Sequence, residues 1–133
     1  MGMYTVLVPV DRNVDRAKRQ IEYVTSLPSA REDVEVEVLF VKEADYRGAP
    51  PEGFDYIESA VMVRDELRSA GLACEGIMRE GMVAKNIIDE AEDIDADDIV
   101  MAGRDRSGVT KAIMGSVSHD VVLASHRPVT IVG

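Results

Sequence analysis

Ile99-Val100-Met101-Ala102-Gly103-Arg104-Asp105-Arg106-Ser107-Gly108-Val109-Thr110-Lys111-Ala112-Ile113-Met114-Gly115-Ser116-Val117-Ser118 is the stretch on which the fold turns. A short apolar run closes at Ala102-Gly103, a polar loop carrying Gly108 follows, and Gly115-Ser116 opens a second apolar-periodic segment. The pattern predicts strand, loop and helix start. A helix start presents unpaired backbone N–H groups and a partial positive charge, and glycine lets an anion approach the backbone, so this order suits a phosphate. Between Gly103 and Lys111 the loop sets Arg104, Arg106 and Lys111 against Asp105 alone, in a chain of formal net charge −10.

Upstream, the same alternation repeats. Tyr4 to Val10 is a β-branched run closed by Pro9, Val10 and Asp11, which fits a strand buried on both faces. Val14, Ala17, Ile21, Val24 and Leu27 then recur at helical spacing, with Asn13 or Asp11 as cap and Pro28 as stop. Val34 to Val41 reads as a second strand, and residues 42–53, with Gly48, Pro50, Pro51 and Gly53, as the longest loop. Ile57, Ala60, Val61, Arg64 and Leu67 mark a helix that Gly71 can end in a left-handed cap. A third strand, Leu72 to Met78, precedes a helix faced by Val83, Ala84, Ile87, Ile88, Ala91 and Ile94. The fourth strand is Ile99 to Ala102; Val117, Val121 and Ala124 give the last helix and Val129 to Val132 the last strand.

The order βαβαβαβαβ with short buried strands predicts an α/β fold: one doubly wound, five-stranded parallel sheet forming a Rossmann-like sandwich over a single domain, residues 1–133. Such sheets bind ligands beyond the carboxyl ends of the strands, where strand order reverses. A first strand lying beside the fourth would turn Pro9, Val10 and Asp11 toward the loop Gly103 to Gly108.

Composition narrows the function classes. The acidic balance, with pI near 4.6, argues against nucleic acid as a partner, because phosphate backbones require clustered Lys and Arg. The apolar runs are too short for a membrane span and the N-terminus lacks a signal-peptide layout, so a cytoplasmic location is expected. Cys74, the single cysteine, reads as a small buried hydrophobe. His119 and His126 read as surface or interface residues, and Met62, Met78, Met82, Met101 and Met114 as fillers of core gaps.

Three phosphate-handling motifs fail on particular residues. Gly103 to Thr110 approximates a Walker A loop, but Val109 stands in the lysine position. Val10-Asp11-Arg12-Asn13 lacks the glycines of a dinucleotide fingerprint, and Arg79-Glu80 and Gly133 stand where a receiver domain needs Asp and Lys. Asp11 remains open to two readings: a carboxylate that holds magnesium or accepts from a ribose hydroxyl, or a cap of the first helix. No catalytic residue and no protein-built metal site are expected, and hydrolysis of ATP lacks an identifiable general base. The last strand carries neither charge nor proline, and as a sheet edge it predicts a homodimer through Val129 to Val132.

The opening Val-Leu-Val-Pro-Val-Asp, the Gly-Ser-Val-Ser at the last helix and the closing Arg-Pro-Val-Thr-Ile-Val resemble the universal stress protein family over nearly the whole chain. That resemblance implies an adenine nucleotide alpha-hydrolase-like fold, ATP, with or without Mg2+, as ligand, and unidentified protein partners. It places Pro9, Val10 and Asp11 along the nucleotide, Val41 against the adenine, and Met101, Ala102 and Gly103 at the border. Gly115, Ser116, Val117 and Ser118 would hold the phosphates, with charge from Arg104 and Arg106. The family's ATP-binding pattern of Gly, two residues, Gly, nine residues, Gly and then Ser or Thr falls on Ala102, Asp105, Gly115 and Ser116. Two of its glycines are replaced, so the alternative is a nucleotide-free dimeric adaptor with a site degraded at Ala102 and Asp105.

Overall fold

Val6, Leu7 and Val8 are completely buried, and so the first strand reads as a continuous apolar run rather than an alternating one. The computed structural model describes residues 2–43, 53–103 and 114–133. Its strands are β1 (Tyr4–Val10), β2 (Val34–Lys42), β3 (Ala73–Glu80), β4 (Asp98–Ala102) and β5 (Val129–Val132). Its helices are α1 (Val14–Thr25), α2 (Ala30–Asp33), α3 (Glu58–Ser69), α4 (Val83–Asp93) and α5 (Ser116–Ala124), with a 3-10 turn at Phe54–Tyr56.

All pairings are parallel and the strand order is β3-β2-β1-β4-β5. The chain starts in the middle, winds outward to β3, then crosses back to β4. β1 therefore lies beside β4, and the order reverses between them, the position expected from the sequence. α1 and α3 pack on one face through Ala17, Ile21, Val24, Ala60, Val63 and Leu67. α4 and α5 cover the other through Ile87, Ala91 and Val121, against Leu7, Leu39, Ile99 and Met101.

Local signals explain the element ends. Asn13 caps α1, its side chain accepting from Arg16 N at 2.9 Å. The helix stops at Thr25 rather than at Leu27, because Thr25 and Ser26 hydroxyls bond back to the Ile21 and Tyr23 carbonyls and Pro28 cannot continue it. The single turn α2, which the apolar spacing does not announce, follows Ser29 in a left-handed conformation. Gly71 closes α3 at φ +92, with Leu72 N–H on the Leu67 carbonyl and Gly71 N–H on that of Arg68, the paired bonds of a Schellman end. β3 runs two residues beyond Met78, to Glu80.

Two of the predicted core methionines are not in the core. Met82 is 74 % exposed and Met114 is 37 % exposed, since both sit just before a helix start, outside its packed face. Met101 is buried as expected, and Cys74 is too, its thiol pushed up to about 11 by burial. Both histidines are exposed.

One polar cluster lies beneath α4. Arg79 of β3 donates to Glu90 at 2.8 Å and Asp93 at 3.2 Å, and Glu90 is buried. Glu37 of β2 lies beside Glu90; burial and that neighbouring carboxyl push its pKa up from 4.5 to about 8. The folded chain thus holds a proton that the unfolded chain releases. Glu37's contribution to stability is complete below about pH 4.5 and is lost as pH rises through about 8. Glu37→Gln is expected to flatten the decline of Tm across this window and to be the more stable protein above it. Superimposable Tm profiles for the two chains would contradict this.

Candidate functional site

The ladder between β1 and β4 covers only Val6↔Asp98 and Leu7↔Ile99, whereas β1 pairs with β2 from Tyr4↔Val34 to Val10↔Phe40. Pro9 has no N–H with which to extend the β4 side. Two carbonyls at the crevice, Pro9 and Val100, would be left without donors. Gln20 of α1 supplies both: its Nε2 donates to Pro9 O at 2.7 Å and to Val100 O at 3.0 Å, and the residue is 2 % exposed. Both amide hydrogens are thereby used, which fixes the orientation of the side chain and leaves Oε1 as its acceptor.

Above this clamp lies a cavity of about 480 Å³, within the range of small-molecule sites. Pro9, Val10 and Asp11 line it from β1 and its turn, and Met101 and Ala102 from β4. Gly115, Ser116, Val117 and Ser118 line it from the start of α5. The structure thus brings together nine of the residues expected from the sequence. Val41 is buried on the same sheet face as Met101 and Ile87, which line the cavity, but does not itself line it. Gly103 also stands outside the lining: its N–H donates to Val132 O at 2.7 Å and its carbonyl accepts from Arg19 Nη2 at 2.8 Å. Arg104, Asp105, Arg106, Gly108 and Lys111 lie outside the described residues, as does the stretch 44–52 of the long loop.

The remaining wall comes from residues that motif reading does not single out. Arg16 and Gln20 enter from α1, one turn apart on the same helix face, and Val83 and Ile87 enter from α4. The apolar stripe of α1 conceals the first two, because Ala17 and Ile21 directly follow them and absorb the helical signal. Asn13 is the usable clue, since a cap there sets the phase that turns Arg16 and Gln20 toward the strand ends.

Asp11 is held tightly. Its Oδ1 accepts from Asn13 N at 2.8 Å, its Oδ2 accepts from Arg16 Nη1 at 2.8 Å, and its backbone carbonyl accepts from the buried hydroxyl of Ser59. Asn13, not Asp11, caps α1, so the Asp11 carboxylate stands on the cavity wall paired with arginine. Opposite it, α5 begins at Gly115 with no side-chain cap; the N–H of His119 is the first to close on Gly115 O. The N–H groups of Ser116, Val117 and Ser118 precede that first helical bond, so they carry the partial positive charge of the helix end. Among the described residues, no group of three or more His, Cys, Asp or Glu side chains converges as a metal site, and no helix is long and apolar enough to cross a membrane. A second hollow, about 590 Å³, lies at the amino ends of the strands and is lined by Glu35, Glu37 and Glu75 with Arg68.

The sequence profile of the universal stress protein family matches residues 3–133. The chain belongs to the universal stress protein family. It is similar to the universal stress protein Sll1654 of Synechocystis, 30% identical over 134 residues that cover 96% of this chain and 84% of that protein. The fold is shared with the universal stress protein of Archaeoglobus fulgidus, at 29% identity and a TM-score of 0.79 with both chains covered in full. A structure of the universal stress protein from A. fulgidus in complex with dAMP matches at 25% identity and a TM-score of 0.75, again covering 100% of each chain.

In this universal stress protein the clamp can be tested by stability alone. Gln20→Leu keeps the bulk of the side chain but strands two buried carbonyls, at a cost of about 1–3 kcal/mol. Urea unfolding is expected to show a lower midpoint with an unchanged slope. A midpoint equal to that of the unaltered protein would mean that the carbonyls find other donors.

Proposed function

We propose that this universal stress protein binds an adenine nucleotide, with ATP as the candidate ligand, in the cavity between β1 and β4, as a ligand-responsive protein of the stress response. The observation that carries the reading is the convergence of the Asp11 turn and the bare N-terminus of α5 on one cavity at the point of strand reversal. The dAMP complex of the A. fulgidus protein supports it. In this reading the N–H groups at Ser116, Val117 and Ser118 receive phosphate. Asp11 accepts from a ribose hydroxyl or holds the Mg2+ that accompanies ATP. Both oxygens of Asp11 already accept hydrogen bonds, which favours binding over a role as general base in hydrolysis.

The same reading includes a homodimer through β5, in a cytoplasmic setting. β5 is the edge of the sheet, its side chains are half-buried, and the neighbouring α5 exposes Val122 and Leu123, the latter at 72 %. Ile99 N–H and Gly103 N–H reach the carbonyls of Pro128 and Val132, so strand alternation turns the N–H and C=O of Val129 and Ile131 outward, where a second chain can pair. Light scattering is expected to give twice the 14.6 kDa chain mass over a wide concentration range. A mass of one chain throughout would remove the dimer.

Calorimetric titration with ATP, with and without Mg2+, tests the ligand. The expected result is saturable binding, one nucleotide per chain, with a dissociation constant near 1 µM or below, about 8 kcal/mol. Absence of binding in protein freed of any co-purified nucleotide would instead favour the adaptor reading, in which the family fold serves protein partners.

A further inference from the structure

The contact that Arg16 makes with the fold uses only part of its guanidinium. Its side chain is about two-thirds buried against the cavity, and Nη1 donates to Asp11 Oδ2 at 2.8 Å. Its Nε is buried and has no hydrogen-bond partner among the described residues. A guanidinium carries five donors in a planar fork suited to two oxygens at once. In this pose it leaves a donor orphaned in a buried position, an unfavourable arrangement that a second anion would relieve. One turn along the same helix face, Gln20 reaches the cavity with both amide hydrogens committed to backbone carbonyls, so that only its Oε1 can engage a ligand, as an acceptor. An amide acceptor and an under-used cation therefore enter the cavity side by side.

We propose that Arg16 is the residue by which the cavity discriminates phosphorylated from unphosphorylated ligands: an anionic phosphate takes the guanidinium from Asp11, and the freed carboxylate, with Gln20 Oε1, accepts from the hydroxyl or amino donors of the same ligand. This rests on the nucleotide reading above and adds which group selects the charge. The exchange keeps the charges matched. Arg16, the more buried of the two, trades one oxyanion for another, and Asp11, about half exposed, trades a cation for neutral donors and water, so neither is left without a partner. It also allows a neutral nucleoside to enter while Arg16 stays on Asp11, which makes phosphate the source of the affinity difference. The pair is on α1, separate from the phosphate-receiving start of α5, so the two contributions can be removed independently.

The test compares AMP, ATP and adenosine by calorimetry on the unaltered chain and on Arg16→Gln and Arg16→Lys. Arg16→Gln is expected to weaken AMP and ATP by about tenfold or more while adenosine, which carries no phosphate to lose and meets an Asp11 carboxylate released from arginine, binds no more weakly than before, and Arg16→Lys to recover part of the loss because it restores charge without the fork. Thermal melts of the variants confirm that each is folded, and Arg16→Lys carries the comparison alone if the glutamine variant is not. Equal losses for adenosine and AMP would overturn the proposal, since Arg16 would then act through the shape of the site. Unchanged AMP affinity would overturn it also. Failure of the unaltered chain to bind any of the three would overturn the nucleotide reading itself, and the Arg16 proposal with it. Binding of AMP that is intact in Arg16→Gln would leave the nucleotide reading standing and remove only the role of Arg16.

Discussion

The hydrogen bonds from Gln20 to the Pro9 and Val100 carbonyls are the constraint on which the functional end of this protein depends. A parallel sheet has to stop pairing somewhere if a ligand is to lie between two of its strands, and each carbonyl freed in that way costs free energy when it is buried. β1 and β4 stop after two paired positions, and Pro9, two residues beyond the last of them in β1, has no N–H with which to resume the ladder. One amide with two hydrogens then satisfies both strand ends from outside the sheet. The crevice is kept open without an orphaned acceptor, and α1 is fixed against it. From that fixed helix Arg16 reaches Asp11 and Arg19 reaches the carbonyl of Gly103, so the walls of the cavity are tied to one element.

Electrostatics follow from the same geometry. The chain is strongly acidic as a whole, yet Arg12, Arg16 and Arg19 lie on or just before α1 near the carboxyl edge of the sheet, Arg12 over the ring of Phe40. The hollow at the opposite, amino edge carries Glu35, Glu37 and Glu75 against Arg68 alone. Negative charge is thus met by cations and by the α5 helix end at one edge and repelled at the other.

Much of this architecture was legible in the residues. Strand-helix alternation, the buried run of β1 and the left-handed Gly71 each have a local cause, and together they dictate a parallel sheet whose strand order reverses beside β1. The Asp11 turn and the Gly115-Ser116 helix start were legible for the same reason, being turn and cap chemistry. Gln20 and Arg16 were not, because their roles depend on carbonyls and a carboxylate that only the folded sheet brings within reach. Hydrophobic periodicity treats both as the polar flank of an apolar stripe. The Glu37–Glu90 contact was equally hidden: alternation in β2 marks Glu37 as solvent-facing, and only the packing of α4 half-buries it. Met82 and Met114 failed in the opposite sense, since residue type suggested core while their positions just before helix starts left them outside.

The measurement that tests the account most directly is a two-dimensional 15N NMR titration with AMP, followed through backbone and glutamine side-chain signals. The account predicts saturable shifts at Asp11, at Ser116, Val117 and Ser118, and at the side-chain amide of Gln20, all reporting one dissociation constant. Shifts confined to Thr5, Glu35, Cys74 and Glu75, around the hollow at the amino edge, would place the ligand at the wrong end of the sheet and contradict it.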